Sequence, residues 1–424
     1  MEFFSRQHSL FLLGINFVNK VRLKAIIRLY KEEISRNINK GIQIVVDVVY
    51  DRIDNQLSDF IGFFLNILSL IFSEIIRLRY QLYRHKILKD NPLGCSVIVV
   101  GNITVGGTGK TPVVEKLAKT LQKKGRKVAI ISRGYKSKKE SLTKKFLRFL
   151  THGEPQPPKI VSNGKELLLN SKLAGDEPYM LAKNLPGVVV ICDKNRVKAG
   201  YYAIKNFMCD TLVLDDGLQY LKLKGTLNIC LIDSTNPFGN EHLLPRGILR
   251  EPLHRLSRAD YIFITKVRRI DNCEELSKTI KQYNSKAPIV YSCHRPKFLI
   301  NIENGNPESL ELLKNQQVGL FSGIAYPESF VDTIKEQGAE IVFQKRFLDH
   351  HRFTKGEILS VYNSSYISGA KFILTTEKDA VRLPKVISKI PVLYLRLEIE
   401  LLEYGTEIDC FNNLANRICL PKQK

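Results

Sequence analysis

The sequence is short of acids. Against 65 Lys and Arg it carries 42 Asp and Glu, so a chain of 424 residues has a net charge of +23. Such a balance favours anionic partners: nucleic acid, an anionic membrane surface or phosphorylated substrates. An RNA- or DNA-reading signature is absent. Residues 77–89 hold five Lys/Arg and no acid, and residues 123–148 hold eleven against Glu140, but neither stretch interleaves aromatic side chains for base stacking. Nucleic acid is set aside on that ground, and no protein partner is implied. Cysteine pairing is missing as well: eight cysteines lie scattered, without C-x-x-C or zinc-type spacing. A reducing compartment follows, with Cys192 and Cys230, inside apolar strand-like runs, read as small core residues. There is no low-complexity tract, and 44% hydrophobic residues over this length supply cores for two or three domains. No secretory leader is recognised, because the apolar residues 9–18 lack a basic flank and a small-residue cleavage pattern. Residues 9–30 therefore read as a surface-binding or packing helix.

What is present begins with Thr104-Val105-Gly106-Gly107-Thr108-Gly109-Lys110-Thr111. An apolar run, residues 96–100, precedes it and a helix-patterned stretch, residues 112–122, follows. In that strand–turn–helix context the glycines let backbone N–H groups close around phosphate oxygens, Lys110 reaches the β- and γ-phosphates, and the Thr111 hydroxyl holds Mg²⁺. These eight residues are read as an ATP site. Thr104 stands where the general pattern has its first glycine.

Beyond the loop, apolar runs at residues 128–132, 188–193, 211–215, 227–233 and 261–266 alternate with helical patterns, which predicts an α/β fold with a mainly parallel sheet. Ligands in such sheets bind beyond the carboxyl ends of strands. Asp215 ends one of these runs, in the position of a carboxylate that holds Mg²⁺, and Asp216 sits beside it. A second, smaller α/β unit is expected from strand-like residues 318–321, 341–343 and 371–374, and the run 392–397 is a strand that could return to the first domain. From residue 60 to 82, Phe60, Phe63, Phe64, Ile67, Ile71, Ile75, Leu78 and Leu82 share one helix face, opposite Asn66, Ser69, Ser73, Arg77 and Arg84. The least interrupted apolar part, residues 60–72, is shorter than the ~20 residues of a spanning helix. Two readings stand: a helix lying in a membrane interface, favoured by the basic run after it, or a helix packed on the protein's own core.

Several segments occur in one order: Val99 through Pro112 around the loop, Ser132-Arg133-Gly134-Tyr135, Gly175-Asp176-Glu177-Pro178, Asp215-Asp216-Gly217-Leu218-Gln219, Leu244-Pro245-Arg246-Gly247, Leu249-Arg250-Glu251-Pro252, Asp349-His350-His351 and Thr376-Glu377-Lys378-Asp379-Ala380-Val381. Together they resemble the tetraacyldisaccharide 4′-kinases of the lipid A pathway over residues 56–400, and Thr104 is itself a habit of that family. The resemblance implies MgATP as cofactor and transfer of the γ-phosphate to the 4′-hydroxyl of an acylated disaccharide 1-phosphate. It also implies a peripheral or monotopic place at the cytoplasmic face of the bacterial inner membrane, held through residues 60–89. It implies Asp176 as general base supported by His350 or His351, Glu251 as a further metal ligand, and Gln219 at the nucleotide. Arg133, Arg196 and Arg250 become candidates for binding substrate or ATP. By residue type alone Asp176 reads as a helix cap and His350 as a surface histidine. The implied organisation is an extension (1–55), an interface helix (56–90), the kinase domain with its phosphate loop (91–305), a smaller α/β domain (306–390) and a C-terminal segment (391–424). A GTPase is disfavoured because Thr265-Lys266-Val267-Arg268 lacks the base-reading aspartate, and a partitioning-type ATPase because Val105 stands where its second lysine would be. A non-catalytic membrane adaptor would leave Lys110, Asp176 and Asp215 without a purpose.

Overall fold

The computed structural model describes residues 41–134, 156–402 and 410–419. The expectations for residues 9–30, and for residues 135–148 of the second basic stretch, lie outside them. Among the described residues, thirteen strands form one sheet. Its centre is the expected parallel set: β1 (Ser96–Asn102) lies between β5 (Thr211–Asp215) and β6 (Leu227–Asp233), flanked by β2 (Val128–Ser132), β4 (Val189–Cys192) and β7 (Tyr261–Thr265). These strands read as continuous apolar runs because helices cover both of their faces, the condition under which parallel sheets are stable. An antiparallel edge strand, β3 (Lys159–Asn163), pairs with β4.

The sheet continues through a long antiparallel pair, β8 (Ile289–Asn301) with β13 (Val392–Leu402), on which β9 (Pro307–Glu308) also pairs. Because β8 runs parallel to β7 and β13 runs parallel to β12 (Phe372–Thr376), this pair welds a second parallel set onto the first. That set is completed by β10 (Gln317–Ser322) and β11 (Glu340–Arg346). The strand at residues 392–397 thus belongs to the weld. The return to the first set is made by a helix, Cys410–Cys419, whose Phe411 and Leu414 are buried in the same core as Val113, Leu117 and Leu121.

Helix α1 spans Gln56–Arg84 and α2 spans Lys110–Lys123. On α2, Val113, Val114, Leu117, Ala118 and Leu121 follow the 3–4 spacing of one face and are fully buried. Each such Leu or Val contributes about 1.5–3 kcal/mol of burial, which anchors the helix whose first turn carries Lys110. Further helices are α3 (Asp176–Asn184), α4 (Arg196–Phe207), α5 (Glu274–Tyr283), α6 (Pro327–Glu336), α7 (Lys355–Ile367), α8 (Glu377–Ala380) and α9, the C-terminal helix just described.

The chain divides into two compact units. The larger holds the sheet, from Arg77–Pro237 and Glu251 onward; the smaller holds residues 41–76 with Phe238–Arg250. In the smaller unit, α1 turns its small and polar residues inward. Ser58, Gly62, Leu65 and Ser69 are buried, and Ser69 Oγ donates to Leu243 O at 2.9 Å. Phe60, Phe63, Phe64, Ile67, Leu70, Ile71 and Ile75 are exposed, Phe60 by 72%. A helix of a water-soluble core is built the other way round.

Candidate active site

The phosphate loop grows out of the β1 carboxyl end. Gly101 lets the chain pass under the next turn, since a Cβ there would lie 2.9 Å from Leu218 Cγ. Left-handed backbone is needed at Gly106 (φ 111°) and Gly109 (φ 74°), and not at position 104. That is why Thr104 is compatible with the loop: it is buried, and its carbonyl accepts from Asn102 Nδ2 at 2.8 Å. Gly109 is the residue before α2, so Lys110 and Thr111 stand in the first helical turn, where unpaired N–H groups and the helix dipole favour an anion. Lys110 Nζ donates to Asn102 Oδ1 at 3.2 Å and lies 3.6 Å from Asp216 Oδ1. Behind the loop, Thr265 Oγ1 donates to Thr108 O at 2.9 Å, and His294, reaching from β8, sits where a Cβ on Gly109 would be 2.7 Å from its Cε1. Burial, followed by Lys266, holds His294 neutral, with its pKa down to about 4.

Asp215 ends β5 and is buried, with Ser132 Oγ donating to its Oδ2 at 3.3 Å. Burial and then Glu177 push its pKa up to about 7, against the pull of Lys110 and Arg196. An anion kept in so unfavourable a place suits a cation ligand. Among the described residues no group of three His, Cys, Asp or Glu could by itself hold a metal. That pattern fits Mg²⁺, which takes one or two carboxylates and completes its shell with phosphate oxygens and water. Asp216 has φ 56°, a strained value for a residue with a side chain and a frequent mark of functional turns.

Arg196, the first residue of α4, is buried. It donates through Nη2 to Asp215 O at 3.3 Å and to Asp216 O at 3.0 Å, and it lies over the Tyr220 ring. It therefore braces the turn that aims both carboxylates. Gln219 of that turn donates Nε2 to Asn102 O at 2.9 Å. Arg133 is exposed at the end of β2. Arg250 closes the loop of the smaller unit, and its chain neighbour Glu251 is buried in the larger one, paired with Arg258.

Asp176 begins α3 right after Gly175 (φ 98°), and it is 5% exposed. His350 comes to it from the second parallel set, 174 residues away: His350 Nδ1 is 3.2 Å from Asp176 Oδ2. His350 is held in left-handed backbone (φ 62°), with its N–H donating to Gly323 O. Its neighbour His351 turns elsewhere, onto Glu357 at 3.1 Å, and stacks on Phe347. Asp176 Oδ1 also accepts from Arg352 Nη2 at 2.6 Å, and Arg382 Nε is 3.7 Å from Oδ2. Burial works to raise the Asp176 pKa, but the hydrogen bond to His350 and the charges of Arg352 and Arg382 outweigh it, and the net shift is downward. Lys378 Nζ lies 3.3 Å from His350 Nε2.

Arg352, Lys378 and Arg382 were not singled out by sequence reasoning, although Lys378 lies inside a quoted motif and Arg352 directly follows one. Their signal was position inside those motifs, for Lys378, or directly after them, for Arg352 and Arg382. Asp379 and Arg382 form a buried ion pair at 2.9 Å that carries Gly323 N, Gly323 O and His351 O, so it shapes the loop presenting His350. Nothing in the pattern around His294 marks it.

A family model described as tetraacyldisaccharide-1-P 4′-kinase matches residues 61–415. Among curated relatives, a tetraacyldisaccharide 4′-kinase of Anaeromyxobacter dehalogenans (strain 2CP-C) is 38% identical over 313 residues, 73% of this chain and 78% of that protein. The one from Pelobacter propionicus is 36% identical over 354 residues, 82% of this chain and 91% of its own length. Among solved structures, the "apo" form of LpxK from Aquifex aeolicus in complex with ATP superposes with a TM-score of 0.64 at 30% identity, over 83% of this chain and 97% of that one.

Proposed function

The chain belongs to the tetraacyldisaccharide-1-P 4′-kinase family, and from that membership we propose how its residues divide the work. The activity is ATP-dependent transfer of a phosphoryl group to the 4′-hydroxyl of a tetraacyldisaccharide 1-phosphate, a step of lipid A biosynthesis. Lys110 and the N–H groups of residues 106–111 hold the β- and γ-phosphates. Thr111, Asp215 and Asp216 would hold Mg²⁺; Glu251, expected as a further donor, is paired with Arg258 and, among the described residues, forms no three-acid group with them. When bound, that ion neutralises charge that grows on the phosphate oxygens. Arg196 keeps the Asp215–Asp216 turn in place, and Arg133 and Arg250 are offered to substrate or nucleotide phosphates.

Asp176 takes the 4′-hydroxyl proton on its carboxylate, and His350, donating its Nδ1–H to Oδ2, orients that carboxylate. The lowered pKa of Asp176 favours its ionised form, at the expense of basicity. A loose phosphoryl-transfer transition state tolerates a weak base, because positioning and charge neutralisation carry most of the rate. The observation that carries this reading is the 3.2 Å approach of His350 to Asp176, two residues on opposite sides of the β8–β13 weld. His350 is preferred over His351, whose ring is committed to Glu357.

The exposed apolar face of α1 supports attachment to a membrane surface, and the use of ATP is the ground for placing it at the cytoplasmic face of the inner membrane. By length and composition α1 could cross a bilayer, and 6% of its most apolar window is buried. A monotopic seat is the better physical solution, since the Gly62, Leu65 and Ser69 face is held by protein and only the other face is open to lipid. The deciding experiment incubates the purified protein with MgATP and the disaccharide 1-phosphate in micelles. A mass increase of one phosphate on the lipid supports the reading; ATP hydrolysis with no lipid product overturns it.

A further inference from the structure

One group of cations in the larger unit has no part in phosphate transfer as described. Tyr80, on the last turns of α1, lies under two guanidinium groups: Arg255 Cζ is 3.5 Å from its ring centroid and Arg258 Cζ 4.8 Å. Both arginines come from the short 3₁₀ turn Leu253–Arg258. Arg258 is neutralised by Glu251 and donates Nη1 to Leu218 O at 3.3 Å. Arg255 has neither kind of partner: among the described residues no carboxylate or carbonyl receives it, and its Nε is buried without an acceptor. Burial lowers its pKa, with Glu251 acting weakly the other way, and His254 beside it is lowered by burial and by Arg255. A guanidinium laid over a ring and partly desolvated, with no carboxylate in contact, is costly unless an anion completes it.

The setting indicates which anion. The basic residues 77–89 surround Tyr80 in sequence, and Leu78, Ile87 and Leu88 are exposed beside them, so this part of the surface pairs positive charge with apolar side chains, a combination that suits an anionic lipid surface. A planar fork of N–H donors matches the oxygens of a phosphate. The site is also tied to the catalytic turn, because Arg258 grips Leu218 O and Arg79 Nη2 donates to Gln219 O at 3.0 Å. We propose that Arg255, laid on Tyr80, binds a lipid-borne phosphate group, and that in turnover this is the 1-phosphate of the acceptor. The assignment to the acceptor rests on the function proposed above.

The test is kinetic, on the full chain in mixed micelles, with two acceptors: the tetraacyldisaccharide 1-phosphate and the same lipid with a free 1-hydroxyl. Arg255→Gln should shrink the preference in kcat/KM for the phosphorylated acceptor by about tenfold or more, leave KM for ATP unchanged, and be partly rescued by Arg255→Lys. Tyr80→Leu, checked for an unchanged melting temperature, should act in the same direction. An undiminished preference in Arg255→Gln overturns the proposal. Vesicles of phosphatidylglycerol and of phosphatidylcholine separate the two sources of phosphate: if the variant loses only its preference for the anionic vesicles, the ligand is a bulk head group and the acceptor assignment is overturned. Calorimetry with glucosamine 1-phosphate keeps the site and the function distinguishable. Wild-type binding that Arg255→Gln abolishes supports the site even if neither lipid is phosphorylated, and equal binding by both proteins counts against it.

Discussion

Asp176, the proposed base, shows how little of such a role is visible in a side chain taken alone. It is an aspartate in a helix first turn, a common place for one, and its distinction lies in what surrounds it: Arg352 on Oδ1, His350 on Oδ2 and Arg382 behind. These partners set a testable sign. A neighbouring cation stabilises the carboxylate, so Arg352→Met should raise the Asp176 pKa. Because the ionised form is the one that accepts the proton, the acidic limb of the kcat/KM profile should move to higher pH, while KM for ATP stays put. Asp176→Asn should lower kcat by about 10²–10⁴-fold. A profile from Arg352→Met that coincides with wild type would separate Arg352 from the base.

At the scale of elements, α1 carries its argument in which way it faces. Its periodicity was legible, and so was the stripe of Phe63, Ile67 and Ile71; whether that stripe met the core or the outside was not. The side opposite offers Gly62 and Ser69, small enough for close packing, with a hydroxyl that bonds Leu243 O. Packing by the small face leaves the large apolar side chains uncovered, an arrangement that marks an interaction surface. Replacing Phe63, Ile67 and Ile71 by Asp should therefore release the protein from anionic vesicles in a flotation assay and cut activity on micellar lipid, with nucleotide binding unchanged. Equal flotation of variant and parent would mean that the face is covered by protein.

Across the whole larger unit, one buried network joins the parts that must act together. Arg396 of β13 pairs with Glu377 of α8 at 2.6 Å and with Glu115 of α2, and Asn184, the last residue of α3, donates to both carboxylates. Thus the helix that carries Lys110, the helix that begins at Asp176 and the turn that holds Lys378 against His350 share one clasp, at the position where β13 shifts register between Arg396 and Leu397. Burial raises the Glu115 pKa in spite of Arg396, so removing the cation strands two acids. Arg396→Met should cost about 3–5 kcal/mol in denaturant unfolding and should lower kcat more than it changes KM for ATP. An unfolding loss with unaltered kcat would make the clasp purely structural.

The sequence by itself determined whatever repeats locally. The parallel strands were legible because burial on both faces forces continuous apolar runs, and the phosphate loop because its chemistry needs Gly106, Gly109 and Lys110 within a few residues of one another. The strand β8 went unread: with solvent on part of its surface it mixes Cys293, His294, Arg295 and Pro296, and no single period survives. Tertiary structure decided what depends on distant residues meeting. That His350 rather than His351 meets Asp176, across a separation of 174 residues, while His351 bonds Glu357, is such an outcome, and the proposed role of His350 rests on it. Arg196 could be recognised as a brace for the Asp215–Asp216 turn only once its guanidinium was seen under those carbonyls, and Arg255 as an uncompensated cation only once it lay on Tyr80. Each of these outcomes is set by which charges share a buried volume, and that is a property of the packed chain rather than of any window along it.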